Sequence, residues 1–113
     1  MLYKKTNAQS FEIPGKTVGD IYPSSPKKDQ TIAHVKMDGK YPVDGYSLND
    51  ICTETIYVLD GNLNIEIEGE IFSAEKDDIC IILPGKKYRI TGKGEALDLI
   101  TPQWNSSQNH IIS

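Results

Sequence analysis

From residue 31 onward, apolar and polar positions alternate with a period of two. Ala33, Val35 and Met37 share one face of a segment whose other face carries His34 and Lys36, the pattern of a half-buried strand. Residues 53–59 are rich in β-branched and aromatic side chains and end at Asp60-Gly61. That dipeptide tolerates positive φ and predicts a tight hairpin. The returning segment, residues 62–68, sets Leu63, Ile65 and Ile67 against Asn64, Glu66 and Glu68 on opposite faces. Glu68-Gly69-Glu70 then turns the chain into a strand over residues 71–74. Residues 78–83 form an almost unbroken apolar run, stopped by Pro84-Gly85, as expected of a strand buried on both sides. Two more strands, residues 87–91 and 96–101, precede a polar tail.

Residues 14–30 are dense in Pro, Gly, Ser and Lys and read as an irregular arm, with one edge strand over residues 10–13. No segment carries a helical stripe, and no internal repeat appears. The pattern predicts an all-β chain, with residues 1–30 as an N-terminal arm and residues 31–113 as a barrel and its tail. Evenly spaced short strands suit a sandwich or a barrel, and barrel closure removes exposed sheet edges.

The 113 residues fit one domain. An apolar content of 38% builds one modest core, so pairing into a homodimer is expected to add buried area. A net charge of −4 lacks the basic field of a nucleic-acid binder. No stretch reaches the length of a membrane span, and the first fifteen residues hold no apolar run of signal-peptide length. A soluble, cytoplasmic protein with no membrane partner is expected, its two cysteines, Cys52 and Cys80, free thiols.

Two segments carry a family resemblance. The run from Glu54 to Gly61, with Tyr57-Val58-Leu59 between, resembles the first conserved motif of the cupins. The run from Asp78 to Tyr88 resembles the second, with Pro84-Gly85 in place and Tyr88 where that motif has a histidine. The resemblance implies a cupin-type antiparallel β-barrel, a double-stranded β-helix or jelly roll, over residues 31–104. It also implies positions for metal ligands. Two histidines ought to precede the glutamate, at Leu48 and Asp50 or at Ser47 and Asn49, and neither pair contains one. Only Glu54 survives of four ligands, so no metal and no cofactor is expected; if a metal does bind, Glu54 and Asp50 are the donors left. The tail, with Trp104, Gln108 and His110, is similar to that of small stand-alone cupins that also lack the histidines and offer no activity to carry over.

The expected function is binding of a small polar ligand, a sugar or a carboxylate, inside the barrel. The candidate contacts are Glu54, Tyr88, Tyr46, Asp50, Asn49 and His34. A barrel interior would desolvate Glu54, which suits acid–base work, and phenols such as Tyr88 and Tyr46 bond a polar ligand while their rings pack against it. Tyr57 has the opposite parity to Glu54 and should face away. His34 looks into the barrel only if Ala33, Val35 and Met37 pack outward. Two alternatives stand: a metal-independent sugar or keto-acid isomerase or epimerase using Glu54 and Tyr88 for proton transfer, and a structural or regulatory dimer whose barrel is filled. Lys86, Lys87, Arg89 and Lys93 are the one basic concentration, able to attract an anion if they ring the barrel mouth.

Overall fold

The computed structural model describes residues 1–113, and nine strands within it join a single curled antiparallel sheet. These are β1 (Gln9–Ile13), β2 (Thr17–Ile21), β3 (Thr31–Tyr41), β4 (Tyr46–Asn49), β5 (Thr53–Ile67), β6 (Glu70–Glu75), β7 (Ile79–Ile82), β8 (Tyr88–Thr101) and β9 (Asn109–Ile112). The only helical turns are single 3-10 turns at Lys5–Asn7 and Ser106–Gln108. The all-β expectation holds. No helix is long and apolar enough to cross a membrane.

Strand β8 is the spine of the sheet. It pairs along nearly its whole length with β3 on one side and β5 on the other. Outside β3 lie β2 and then β1. Outside β5 lie β7 along its first half and β6 along its second. The short β4 touches β8 at Ser47 opposite Tyr88 and is covered by β9.

The predicted hairpin at Asp60-Gly61 does not form. β5 runs straight through it, and the register with β8 slips by one residue between Val58 and Asp60. The extra residue, Leu59, is a β-bulge, which resets side-chain parity. Before it the even positions Glu54, Ile56 and Val58 are buried; after it the odd positions Leu63 and Ile65 are. Gly61 is required for a different reason than a hairpin turn. Its φ is +81°, and a Cβ there would lie 2.3 Å from the Lys93 carbonyl oxygen, so only glycine lets β5 and β8 approach this closely. The true hairpin comes at Glu68-Gly69, both with positive φ, between Ile67 and Glu70.

Three further expectations change. The arm supplies two strands, not one: β2 joins β1 in a hairpin and docks on β3. The polar tail ends in β9, and its Gln108 is buried. The apolar run of residues 78–83 is buried on one face only. Ile82 is fully buried, but Ile79 and Ile81 are 60% and 55% exposed, because β7 pairs only with β5 and nothing in the chain covers its outer face.

Inside the curl, Val58, Ile65 and Ile82 are wholly buried and pack with Leu63, Ala74 and Ile90. Ala33, Val35 and Met37 also point inward, toward the same interior.

Candidate functional site

The interior is not filled by side chains. A cavity of about 310 Å³ lies within the curl, the size of a small-molecule site. Most of its wall is apolar: Phe11 and Ile13 from β1, Met37 from β3, Ile56 from β5 and Trp104 from the tail all contribute. Five polar side chains reach it, namely Thr17, Tyr41, Glu54, Tyr88 and Asp98, and no Lys, Arg or His does.

Glu54 is the hub of the polar groups. It faces inward because it shares parity with Ile56 and Val58 on the first half of β5. Its Oε2 accepts two hydrogen bonds, a short one from the Tyr88 hydroxyl and one of 3.1 Å from Asn49 Nδ2. Neither lands on Oε1. Asn49 is held in turn by Gln108 Nε2 at 2.9 Å and Asn109 Nδ2 at 3.0 Å, both on its Oδ1. Gln108 also accepts bonds from the backbone N–H groups of Ile51 and Cys52 with its amide oxygen. A continuous buried chain therefore runs from the C-terminal segment through Asn49 to Glu54, fixing the rotamer of the carboxylate.

Asp98 faces Glu54 from β8, where it shares parity with Ala96 and Ile100. Burial, and after it the neighbouring Glu54 charge and hydrogen bonding to that carboxyl, hold the Asp98 carboxyl protonated well above the usual carboxylate range. Its Oδ1 is buried without a hydrogen-bond partner in the protein, as is Thr17 Oγ1. Orphaned buried polar atoms are costly and call for an explanation. Burial, then the Glu54 charge, also push the Tyr88 hydroxyl well up, so it stays a donor. Tyr41 stands beside it, ring centroids 6.3 Å apart, with its hydroxyl 3.3 Å from Ser47 Oγ. Burial raises its pKa as well.

The six sequence candidates separate cleanly. Glu54, Tyr88 and Asn49 are brought together. Asn49 holds Glu54 from behind the cavity wall, and the other three lie away from this cluster. His34 is turned outward because Ala33, Val35 and Met37 turn inward, and it pairs with Glu95. Asp50 sits on the surface, 2.7 Å from His110 Nε2. Tyr46 lies under Lys87 and Arg89, whose charged ends are 5.1 Å and 4.7 Å from its ring centroid. Arg89 also bonds Glu66 at 3.2 Å, so this basic concentration does not line the cavity. Tyr57 is exposed, donating to Asp77 at 2.8 Å, as its parity required. The cysteines are separate: Cys80 lies opposite Ile56 on β5, whereas Cys52 precedes that strand and sets its Sγ against the Pro102 and Gln103 carbonyls.

Asp98 escaped the sequence reading although its signal was present. It interrupts the inward face Ala96, Asp98, Ile100 just as Glu54 interrupts Glu54, Ile56, Val58. A carboxyl on an otherwise apolar strand face is either paired or functional. The metal that a cupin resemblance implies finds no fit among these residues. Glu54 and protonated Asp98 are the only carboxyls in the cavity, and no group of three or more His, Cys, Asp or Glu side chains converges anywhere in the chain.

No protein-family model and no curated protein sequence matches this chain. Solved structures do. Pac13 from Streptomyces, described as a unique nucleoside dehydratase, superposes with a TM-score of 0.89 over 99% of this chain and 90% of its own, at 17% identity. Its variants with a tyrosine or histidine replaced have been solved with uridine. KdgF from a Halomonas species matches with a TM-score of 0.76 at 16% identity over 95% of this chain and 97% of its own. An RmlC-like cupin from Shewanella frigidimarina gives 0.75 at 14% identity over 93% of both chains. The strand order, the inward carboxylate on β5 and these likenesses agree that the chain has the fold of a small single-domain cupin.

Proposed function

We propose that the barrel binds a small, neutral, polyhydroxylated ring compound, a sugar or a nucleoside, and moves protons on it without a tightly held metal. The observation that carries this reading is the facing pair Glu54 and Asp98 at the polar end of an apolar cavity. One member is held as a carboxylic acid, and the other is fixed by Tyr88 and Asn49. A buried carboxyl whose hold on its proton is raised, set beside a second carboxyl, is a usual means of running acid and base chemistry side by side.

Charge selects among ligands. With no cation on the wall, an organic acid would meet Glu54 without compensation, whereas a neutral ring with hydroxyl groups gives Asp98 Oδ1 and Thr17 Oγ1 the partners they lack. The apolar wall takes the face of the ring. The fold likeness to a nucleoside dehydratase solved with uridine supports the same ligand class.

The proton transfers balance. Glu54 takes a proton from carbon as the C–H bond breaks, and Asp98 gives its proton to a carbonyl or departing hydroxyl oxygen. Glu54 is then protonated and Asp98 ionised, and direct transfer between the facing groups resets the pair. Isomerisation and dehydration both use this step.

A thermal-shift screen of sugars, nucleosides and organic acids, followed by NMR of the hits in D2O, tests the reading. A sugar or nucleoside is expected to raise Tm and to exchange a carbon-bound hydrogen, and Asp98→Asn to abolish the exchange. Organic acids as the only hits, or no hits, would overturn it. A hit that never exchanges or reacts leaves a binding protein.

A further inference from the structure

We infer that the outer face of the sheet formed by β7, β5, β8 and β3 is the contact surface of a homodimer. Side chains of opposite parity to the cavity wall line it. Across the four strands, Ile81 lies beside Thr55, Leu99 and Ile32, and Ile79 beside Tyr57, Leu97 and His34. The six large apolar groups in these rows, Ile32, Tyr57, Ile79, Ile81, Leu97 and Leu99, are each 38–60% exposed.

Size points to a dimer. Together these side chains present on the order of 500 Å² to solvent, near the upper end of the largest patch on an ordinary monomer. With its rim, such a patch approaches the roughly 800 Å² that each partner contributes to a standard interface. The chain also needs the area. Only 20 of its 113 residues are buried, and its interior holds a cavity in place of a full core.

The polar groups at the margin point to a second copy. His34 is already paired with Glu95, and the Tyr57 hydroxyl already donates to Asp77. These paired groups can lose their water together, while Lys36, one step beyond His34 on the same face of β3 and opposite Glu95, stays at the exposed edge of the patch. The patch is a sheet surface, and two such surfaces pack face to face about 10 Å apart. A two-fold axis brings the same patch to itself, so apolar rows meet apolar rows without any further complementary surface.

The test is sedimentation velocity of the full chain across a concentration series. The wild type is expected to sediment as two chains at tens of micromolar. Ile81→Lys and Leu97→Lys are each expected to raise the dissociation constant at least roughly thirtyfold, with circular dichroism unchanged. Ile71→Lys, an exposed apolar position on β6 outside the patch, is expected to leave it alone. Should the lysine variants unfold, hydrogen exchange of the wild type decides: amides of β7 must slow as concentration rises. A monomeric wild type, a dimer that survives both lysine variants, dissociation by Ile71→Lys, open-ended assembly, or β7 exchange independent of concentration would each overturn the proposal.

Discussion

The two halves of β5 border one interior and serve it in opposite ways. Ahead of the bulge, Glu54 brings a carboxylate into the cavity, surrounded by hydrogen-bond donors and a second carboxyl. Beyond it, Ile65 is wholly buried in a dry cluster with Val58, Ile82 and Ala74. The same strand, on the same partner β8, supplies chemistry at one end and cohesion at the other. The difference teaches that polar groups are tolerated in so small a core because they are concentrated. A polar network confined to one end leaves the other free to pack without compromise.

Substitutions ought to separate the two halves, and the largest effect belongs to the dry one. Ile65→Ala is expected to cost about 2–5 kcal/mol in urea unfolding, with ligand binding by the surviving folded fraction unchanged. A cost well under 1 kcal/mol would mean the dry cluster collapses around the gap, and the contrast would fail.

Asp98→Asn should act on pH dependence. The unfolded carboxyl titrates near 4, and the folded one keeps its proton well above that. Between those two values the native state holds the extra proton. Stability is therefore full below about pH 4 and is lost as pH rises toward the folded value, at up to about 1.4 kcal/mol per pH unit. The amide variant should lack this slope in urea midpoints measured across pH. An unchanged slope would place the protonated group elsewhere.

Tyr88→Phe deletes one of the two donors to Glu54 Oε2. A loss of about 1–3 kcal/mol in stability is expected, together with weakened proton exchange on any ligand found. Retained exchange would show that Asn49 alone orients the carboxylate. The smallest effect should be His34→Gln, outside the cavity beside Glu95. Within about 0.5 kcal/mol of wild type and with ligand affinity unaltered, it would sharpen the boundary between inside and outside; a large loss of affinity would erase it.

Much of the fold was legible because a period of two is a direct imprint of a sheet with one dry face. Leu63 and Ile65, and Ala33 with Met37, went where their alternation sent them. Asp60-Gly61 misled because a positive-φ dipeptide serves hairpins and bulges alike. The arbiter was the switch from even to odd apolar positions across Leu59, which a turn has no need to produce. The β7 run misled for another reason: composition reports that a face is apolar, not what covers it. In the site, motif position found Glu54 and Tyr88. Asp98 needed the parity argument applied to β8. Gln108 was beyond local patterning, since it joins Asn49 across 59 positions of chain.

The bulge at Leu59 also carries a genetic consequence. Parity beyond it depends on one residue being present, not on which residue it is. Point mutations there ought to be forgiven, whereas loss of the single codon would rotate every later position of β5 by half a turn. Leu63 and Ile65 would then point to solvent and Asn64 and Glu66 into the dry cluster. Over this stretch, the reading frame of the fold is more fragile than its vocabulary.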